Sequence, residues 1–460
     1  MPEVIPDLIR GALDDRTSDA TSCSQIESGD EQLMNVIDLE QAAHLPAYAK
    51  LPLVIERGDG CWVYTAEGER YLDLYGGHAV ASTGHCHPRL VARLKAQAEA
   101  LIFYSNVVYN SSRARAAARL CEVAPAGFTS VFFVNSGAEA NENALKLARQ
   151  VTGRAEIISF EGAFHGRTWV TYQASQKKVD GGWRSGPLSP LEQPEGSRAG
   201  ADATASKQAI TGSGRWAKTT NAPSPLDDHP IFRILPFGDV DAVQQAITTR
   251  TAAVILEPIQ SLAGVRMAPP DFYQALRRAC DDTGAVLIYD EVQTGCGRTG
   301  SFFFAPRFDV TPDIITLAKG IASGVPMGAV LVREPIARHV KIGDLGSTFG
   351  GGPLACAALD ETLAIIEEED LLDNVRQTSA YLMTRLAGLP LVAEIRGLGF
   401  LIGLRLTVPA RDIQQRLLRH KIITGLSDDE YVLRLLPPLT LTRSEADFFV
   451  EVFRDICYEQ

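Results

Sequence analysis

The 460-residue sequence lacks the features that mark membrane, secreted and nucleic-acid-binding proteins. It has no apolar run long enough to span a bilayer, and its eight cysteines include no Cys-x-x-Cys pair. Positive charge is also scarce, because 44 Lys and Arg stand against 56 Asp and Glu, for a net charge of -12 that repels phosphate backbones and anionic lipids. The start of the chain contains acids and no continuous apolar stretch, unlike a signal or transit peptide. We therefore predict a cytoplasmic protein that binds neither nucleic acid nor membrane.

Short β-branched and aromatic runs alternate with helical stretches from Ser130 onward. The runs are SVFFVN (130–135), EIISF (156–160), AAVILEP (252–258), AVLIYDE (285–291), DIITLAK (313–319) and GAVLVR (328–333). This alternation is typical of a parallel sheet with crossover helices, and strands that are apolar on both parities are covered on both faces. A single hydrophobic core stops growing at roughly 250–300 residues, and this chain is longer than that. The sequence therefore predicts an α/β protein with two domains.

The domain boundaries follow from changes in composition along the chain. We predict a large domain over 106–350 and a smaller α+β domain that both chain ends form, from 46–105 and 351–460. Residues 1–45 are interpreted as a mobile N-terminal tail. The stretch 174–230 is rich in Gly, Ser, Pro and Lys and poor in apolar residues, which favours a mobile surface insertion over a lid.

The strand-turn-helix FFVNSGAEANENALKLARQ (132–150) contains the first candidate site. Ser136 and Gly137 stand where a strand ends and an amphipathic helix begins, so free backbone N–H groups and the helix dipole meet at one point. This arrangement predicts an anion site, with phosphate as the expected anion. The alternative is that Ser136 only caps the helix.

Two more strand ends carry chemistry, Asp290 after VLIY and Lys319 after DIITLA. A buried carboxylate needs a cation or a protonated ring nitrogen, although Asp290 could also bind a metal or pair with Arg298. A partly desolvated lysine is suited to Schiff-base formation, although lone strand-end lysines are more often ordinary surface residues. With the anion site, the two side chains indicate one ligand that bears a phosphate, a basic ring nitrogen and an aldehyde. Pyridoxal phosphate has all three.

Six motifs then connect the sequence to a known family. NSGAEANENALKLAR, FHGRT, EPIQ, DEVQTGCGRTG, ITLAKG and GSTFGGGPLACAA resemble, in order and spacing, those of the class III aminotransferases of the fold-type-I pyridoxal-phosphate enzymes. The resemblance runs from about Leu51 to Tyr458. It implies a large domain with a mainly parallel seven-stranded sheet, pyridoxal phosphate as cofactor and no metal. It also implies an amino donor and a 2-oxo acid as the small-molecule substrates.

The resemblance assigns the cofactor site residue by residue. The backbone N–H groups of Gly137 and Ala138, beside Ser136, would hold the phosphate. Phe164 and Val292 would lie on the two faces of the ring.

The polar groups of the cofactor are assigned in the same way. Gln293 would approach the phenolic oxygen, and Asp290 would keep the ring nitrogen protonated. Lys319 would form the Schiff base and then move the substrate proton. Thr348 would reach the phosphate of the neighbouring subunit, which implies a homodimer with shared active sites.

Within the family the chain resembles the acetylornithine aminotransferases most, in DLYGGHAVASTGHCHP (73–88) and VLRLLPPLTLT (432–442). That branch moves an amino group from N2-acetylornithine to 2-oxoglutarate in arginine biosynthesis. The resemblance implies that Arg167 grips the α-carboxylate of the donor and that Ser347 touches it. His78 would be a further substrate contact, although acetylornithine enzymes commonly have an aliphatic residue there and ornithine enzymes a tyrosine.

One departure from the family bears on substrate choice. Ser261 and Leu262 follow EPIQ where related enzymes usually carry Gly-Glu, and that glutamate pairs with an arginine that we matched to Arg396. The sequence therefore predicts that Arg396 lacks its carboxylate partner and stays open to anionic substrates. Alternative donors within the family are ornithine, LysW-linked or free lysine, 4-aminobutyrate and diaminobutyrate. A catalytically silent protein of the same fold is an alternative of another class, which the presence of Lys319 and Asp290 disfavours.

Overall fold

The computed structural model describes residues 36–179, 182–185 and 230–459. Its strands are β1 (Ile55–Asp59), β2 (Trp62–Thr65), β3 (Arg70–Asp73), β4 (Phe128–Val134), β5 (Glu156–Phe160), β6 (Gln176–Val179), β7 (Gly182–Ser185), β8 (Ile231–Leu235), β9 (Thr251–Leu256), β10 (Ile259–Gln260), β11 (Arg266–Met267), β12 (Val286–Asp290), β13 (Ile314–Leu317), β14 (Gly328–Arg333), β15 (Val392–Leu398), β16 (Leu401–Leu406), β17 (Ile422–Ile423), β18 (Gly425–Leu426) and β19 (Val432–Leu435).

The helices of the described residues are mostly amphipathic and short. They are α1 (Val36–Ala43), α2 (Gly76–Ala79), α3 (Pro88–Ala100), α4 (Ser111–Val123), α5 (Gly137–Thr152), α6 (Trp169–Ala174), α7 (Val240–Ala246), α8 (Pro270–Thr283), α9 (Glu334–Ala337), α10 (Pro353–Glu368), α11 (Leu371–Leu386), α12 (Ala410–Arg419) and α13 (Arg443–Tyr458), with 3-10 turns at Arg307–Asp309 and Lys319–Ala322. Among the described residues no helix combines the length and the apolar character that crossing a membrane requires.

A seven-stranded sheet forms the centre of the fold, in the order β4-β14-β13-β12-β9-β5-β8. The pairs β13–β12, β12–β9, β9–β5 and β5–β8 are parallel, whereas β14 runs antiparallel to both of its neighbours. The predicted α/β class and the mainly parallel seven-stranded sheet are therefore confirmed. The sequence analysis identified six of the strands and missed β8.

Both faces of the sheet are buried, as the continuous apolar runs predict. Along β12, Val286 and Ile288 pack with Ala144 and Leu145 of α5 in one hydrophobic cluster. Leu287 and Tyr289 belong to the cluster on the other face, which includes Phe272 and Leu276 of α8. Because successive strand residues point to opposite faces, each run needs apolar residues at every position. Each buried side chain of this size contributes roughly 1.5–3 kcal/mol.

The second sheet from the C-terminal region pairs β15, β16, β19 and β18 in that order, all antiparallel. The short strand β17 pairs in parallel with β3, so that Ile422 lies opposite Leu72. This pairing joins the segment before the first large helices to the C-terminal part of the chain.

The chain divides into two compact units by its internal contacts. One contains the described residues up to Arg57 together with Tyr64–Glu69, and in it the Arg57 guanidinium lies 3.6 Å from the centre of the Tyr64 ring. The other contains Gly58–Val63 and the described residues from Arg70 onward. The predicted domain boundaries at 105/106 and 350/351 stay predictions.

Two segments named in the sequence analysis lie mostly outside the described residues. Of the predicted tail, residues 1–35 are outside, and α1 forms within the remainder. Of the predicted insertion, residues 180–181 and 186–229 are outside, whereas β6 and β7 pair as an antiparallel hairpin at its beginning.

Candidate active site

The junction between β4 and α5 has the geometry of an anion site. Ser136 is the N-cap of α5 and its hydroxyl accepts the Glu139 N–H at 3.2 Å, so the capping alternative is correct as far as this hydroxyl goes. The capping leaves the N–H groups of Gly137 and Ala138 without an acceptor among the described residues. These donors and the positive end of the helix dipole can therefore still serve an anion.

Gly137 is required at this junction for packing. A Cβ at this position would lie 3.0 Å from both methyl groups of Val292. Its absence lets the first turn of α5 approach the segment that follows β12. The anion site and the end of β12 therefore lie side by side.

Asp290, at the end of β12, is 2% exposed, and both of its carboxylate oxygens accept hydrogen bonds. Its Oδ2 atom accepts from Asn141 Nδ2 at 2.7 Å and from His165 Nδ1 at 2.8 Å, while Oδ1 accepts the Val292 N–H at 3.1 Å. The Thr316 hydroxyl donates to Asn141 Oδ1 at 2.6 Å, which orients the amide nitrogen toward Asp290. These donors hold the carboxylate in one orientation at the carboxyl edge of the sheet.

The alternative ion pair between Asp290 and Arg298 does not form. Arg298 is buried and donates to the backbone carbonyls of Pro437 and Phe400. Burial lowers its pKa to about 10, which leaves the guanidinium charged near neutral pH. Arg298 therefore holds the C-terminal segment rather than the carboxylate.

Lys319 follows β13 and is held in a strained backbone conformation. Its φ of 46° lies in the left-handed region, which costs a non-glycine residue on the order of 1–3 kcal/mol. Strain of this kind persists where surrounding structure fixes a functional side chain. The half-buried side chain is thereby kept next to the acidic groups that end β9 and β12.

Charge and burial act on Lys319 in opposite directions. Burial lowers its pKa, the negative charges of Asp290 and Glu257 raise it, and the positive charge of Arg434 lowers it again. The net direction is downward, which increases the fraction of free amine. Glu257, which follows β9 and accepts the Phe164 N–H at 2.8 Å, has a raised pKa because of burial and then because of Asp290.

Several buried polar atoms around this cluster have no partner among the described residues. His165 Nε2 is one, on the ring whose other nitrogen contacts Asp290, and Gln293 Oε1 is another. Because buried polar atoms are nearly always hydrogen-bonded, such atoms indicate a ligand or a water. Phe164 and Val292, both half-buried, lie in the same segments as these two side chains.

The residues predicted to contact the substrate or the neighbouring subunit lie in different parts of the site. The Arg167 guanidinium carbon is 5.4 Å from the centre of the Phe164 ring, and its charge acts on His78. The Ser347 hydroxyl accepts from Asn135 Nδ2 at 3.3 Å, which places it beside the anion site. Thr348 is exposed.

Arg396 contradicts the prediction that it lacks a carboxylate partner. Its guanidinium is 2.8 Å from Glu394 Oε2 and 3.7 Å from Asp429 Oδ2, and it also donates to the Gly264 carbonyl. Glu394 is a neighbour on β15, so the missing family glutamate at Leu262 is replaced by a local acid. The hypothesis of an unmasked Arg396 is therefore wrong.

The arginine that does reach the Lys319 cluster is Arg434, on β19. It is 4% exposed, and its guanidinium donates to Ser261 Oγ at 3.0 Å, to Tyr75 Oη at 3.2 Å and to the Leu426 carbonyl at 2.6 Å. Arg434 lies in the segment VLRLLPPLTLT (432–442) and was not predicted as a site residue from the sequence. Its signal was a single charge in an otherwise apolar strand, which is rare unless the charge has a function.

The backbone before α3 carries His78 into the same region. Residues 76–79 form a left-handed turn with φ between 55° and 66°, and Asp73 Oδ1 accepts the N–H groups of Tyr75 and Gly76, both at 2.9 Å. The Tyr75 hydroxyl lies 2.6 Å from His78 Nδ1. Burial and then the charges of Arg434, Lys319 and Arg167 lower the pKa of His78 to about 4, so the imidazole is neutral near pH 7.

Comparison with known proteins agrees with this geometry. A family model described as aminotransferase class-III matches residues 44–457, and the chain belongs to this family. It is 39% identical over 437 residues to the acetylornithine aminotransferase of Methanocaldococcus jannaschii, covering 92% of this chain and 98% of that one. Acetylornithine aminotransferase 1 of Bradyrhizobium diazoefficiens is also 39% identical, over 90% of this chain and 94% of the relative.

Solved structures show the same fold. The ornithine aminotransferase of Toxoplasma gondii ME49 has a TM-score of 0.76 at 29% identity, covering 92% of this chain and 95% of its own. The acetylornithine aminotransferase of Elizabethkingia anophelis has a TM-score of 0.74 at 26% identity, with 92% and 98% covered. The predicted fold-type-I architecture and the family are thus confirmed.

The chain is therefore a pyridoxal-phosphate-dependent aminotransferase, as the sequence predicted. The residues at the carboxyl edge of the sheet fit this cofactor. The two N–H groups at the N-terminus of α5 suit a phosphate, and the buried Asp290 suits a protonated ring nitrogen. The Gln293 Oε1 atom has no partner among the described residues and is therefore left for a ligand or a water.

Proposed function

We propose that this enzyme transfers an amino group between N2-acetylornithine, or a similar ω-amino acid, and 2-oxoglutarate in arginine biosynthesis. The relatives named acetylornithine aminotransferase, at 36–40% identity over most of the chain, support the donor. One observation carries the proposal: Arg434 donates to Tyr75, whose hydroxyl lies 2.6 Å from His78, and the charge of Arg167 acts on the same imidazole. Two guanidiniums that act on one imidazole suit the two carboxylates of a dicarboxylic 2-oxo acid, and one of them suffices for a donor with a single carboxylate.

The cofactor would be held by groups that the fold already orients. Gly137 and Ala138 would donate their N–H groups to its phosphate, next to the capping hydroxyl of Ser136. Phe164 and Val292 would cover the two faces of the ring. Bound pyridoxal phosphate supplies an aldehyde for amines and a ring that withdraws electrons from the adjacent substrate carbon.

Asp290 would keep a proton on the ring nitrogen, because its carboxylate is buried and fixed by Asn141 and His165. Gln293 would contact the phenolic oxygen. Lys319 would hold the cofactor covalently and, once displaced by a substrate amine, carry the proton that leaves the substrate carbon. Its lowered pKa supports this role, because only the unprotonated amine can act as a nucleophile or base.

The substrate would be oriented by charge. Arg167 would bind the α-carboxylate of the amino donor, with Ser347 and His78 as further contacts. Arg434 lies closer to the reacting groups, since its charge acts directly on Lys319. Arg434 would bind the carboxylate of 2-oxoglutarate that is next to the oxo group. Arg396 is no longer among the proposed substrate contacts.

The test of the donor is a panel of amines with 2-oxoglutarate as acceptor. We expect the highest kcat/KM with N2-acetylornithine. The panel includes ornithine, lysine, 4-aminobutyrate and diaminobutyrate, because the ornithine aminotransferase structures share the fold. A donor from this second set that exceeds acetylornithine by tenfold would replace the proposed substrate. No turnover with any donor would favour a catalytically silent protein.

Removing Arg434 should weaken the binding of the 2-oxo acid. We expect Arg434→Met to raise the KM for 2-oxoglutarate by about 10- to 100-fold, the equivalent of one charged hydrogen bond of 1.5–3 kcal/mol. Arg396→Met is the matched control, because Arg396 is bound by Glu394. Steady-state kinetics with both variants decide between the two arginines. A larger effect of Arg396→Met would reverse our assignment.

We also propose that the enzyme is a homodimer with shared active sites. Large apolar side chains are exposed between residues 101 and 109 and at Phe349, which follows Thr348. Those of the first segment are Leu101, Ile102, Phe103, Tyr104, Val107, Val108 and Tyr109. The Phe103 and Phe349 rings are 5.1 Å apart, so these residues form a contiguous patch of the kind that marks an interface. Thr348 is exposed and directly precedes Phe349 in the chain, which supports its role at the neighbouring subunit's phosphate. The cytoplasm remains the predicted location.

The dimer predicts a particle of about twice the 49.8 kDa chain mass. Phe349→Asp should shift the protein toward the monomer, because it buries a charge in the proposed interface. Mass photometry at a series of concentrations measures this shift. Tyr458→Asp, at an exposed aromatic residue of α13, is the control. A monomeric wild-type protein with full activity would exclude shared sites.

A further inference from the structure

The partners of Arg434 are unusual for a buried guanidinium. The acceptors that the described residues offer to it are one carbonyl, of Leu426, and two hydroxyls, of Ser261 and Tyr75. Asp428 and Glu257 act on it through their charge. A guanidinium that is bound by hydroxyls keeps its full charge available, because no ion pair has to break before a substrate carboxylate binds.

One hydrogen bond of Tyr75 has a direction that its partner fixes. Arg434 can only donate, so the Tyr75 oxygen accepts at this contact. The Tyr75 hydroxyl then has its own proton available for His78 Nδ1, which lies 2.6 Å away. A neutral imidazole that accepts at Nδ1 carries its own proton on Nε2. The chain Arg434–Tyr75–His78 therefore leaves one N–H donor of His78 for a further acceptor.

The surroundings of His78 keep this imidazole neutral. Arg434 faces it from β19, Lys319 from the segment after β13 and Arg167 from the segment after β5, while Tyr75 belongs to its own segment. The positive charges of these groups, together with burial, lower the pKa of His78 to about 4. His78 therefore adds a hydrogen-bond donor beside Arg434 and Arg167 without adding a further charge.

We propose that Ser261, Tyr75 and His78 form a charge-neutral cradle that keeps Arg434 open to a substrate carboxylate throughout the reaction cycle. His78 supplies a second N–H donor to that carboxylate. The inference rests on the proposed function for the identity of the reaction, and it specifies which chain groups set the affinity for the 2-oxo acid. It follows that a dicarboxylate competes with the amino donor for the resting enzyme, because the acceptors of Arg434 among the described residues are a carbonyl and two hydroxyls.

The test places a carboxylate where the hydroxyl now is. Ser261→Asp puts a charge within reach of Arg434, and Ser261→Asn is the neutral variant of nearly the same size. We expect Ser261→Asp to raise the KM for 2-oxoglutarate by about 10- to 100-fold over Ser261→Asn, with a smaller change for the amino donor. It should also relieve inhibition of the donor by the unreactive dicarboxylate glutarate. Equal values for the two variants would overturn the cradle.

His78 is tested by spectroscopy as well as kinetics. In the histidine-labelled holoenzyme, ¹⁵N shifts of His78 should show the Nε2–H tautomer, and Tyr75→Phe should remove this preference. Arg434→Met should raise the pKa of His78, because a nearby positive charge is lost. His78→Leu should raise the KM for 2-oxoglutarate more than His78→Gln, which retains a neutral N–H donor. An Nδ1–H tautomer in the wild-type enzyme would contradict the hydrogen-bond chain.

The cradle and the proposed function fail in different measurements. Calorimetry with glutarate and the holoenzyme measures affinity without turnover, so it tests the cradle alone. Wild-type protein that binds glutarate more tightly than Ser261→Asp does, yet transfers no amino group, would keep the cradle and refute the function. Normal turnover with equal glutarate affinities in Ser261→Asp and Ser261→Asn would do the reverse.

Discussion

Replacing Lys319 with alanine should abolish amino transfer, with a loss in kcat on the order of 10⁴- to 10⁶-fold, the scale seen when a covalent catalytic group is removed. The substitution deletes both the amine that would attach the cofactor and the base that would carry the substrate proton. The hydrogen bonds that hold Asp290 come from other groups, and the N-terminus of α5 is likewise capped without this side chain. We therefore expect the variant to bind cofactor without a covalent link.

Two controls separate chemistry from damage to the fold. Lys146→Ala removes a lysine of α5 that donates to the Asp344 carbonyl, away from the end of β13, and this variant should retain activity. Added methylamine should restore part of the turnover of Lys319→Ala, because a free amine can replace the missing base. If Lys319→Ala keeps more than a tenth of the wild-type kcat, another residue carries the proton.

Asp290→Ala should lower kcat by about 10²- to 10³-fold, the size of effect that removal of one preorganised electrostatic group has on a charged transition state. The carboxylate is buried and is held in one orientation by His165 and Asn141. Without it, the cofactor ring would lose its proton and would withdraw electrons less well. The loss should appear in the chemical step, in single-turnover kinetics of the cofactor-saturated enzyme.

The matched variant is Asp290→Asn, which keeps the shape and removes the charge. It should lose nearly as much activity as Asp290→Ala, because the charge is the property that holds the ring proton. Asp313→Asn is the control for folding: this carboxylate at the start of β13 pairs with Arg277 at 3.0 Å, so its loss should affect thermal stability more than kcat. Full single-turnover rates in Asp290→Asn would refute the assigned role.

The sequence predicted the central sheet well because its strands are buried on both faces. Continuous apolar runs such as VLIYD leave little choice of register or face, and β12 formed where the run predicted it. The exception is β8, which lies at the sheet edge and reads IFRIL. Its apolar run is short and directly follows the low-complexity segment, whose composition obscured the start of the strand.

Site residues could be predicted from the sequence where a local feature, such as the end of a strand or the start of a helix, marks their position. Asp290 and Lys319 end strands, and Gly137 starts a helix, so the sequence places each at the carboxyl edge of the sheet. Arg434 was missed because its meaning depends on contacts with Ser261 and Tyr75, which are 173 and 359 residues away in the chain. Such a contact leaves no local spacing to read. The prediction that Arg396 lacks a carboxylate partner was wrong for the same reason. The family motif gave no sign that Glu394, on the same strand, would pair with it.

The central claim is that Lys319 is the amine at which this chain transfers amino groups. The most direct measurement is reduction of the holoenzyme with borohydride, followed by digestion and mass spectrometry of the lysine peptides. We expect the pyridoxyl mass on the peptide that contains Lys319, and we expect incubation with N2-acetylornithine before reduction to remove it. A pyridoxyl adduct on a different lysine, or one at Lys319 that no amino donor displaces, would contradict the account.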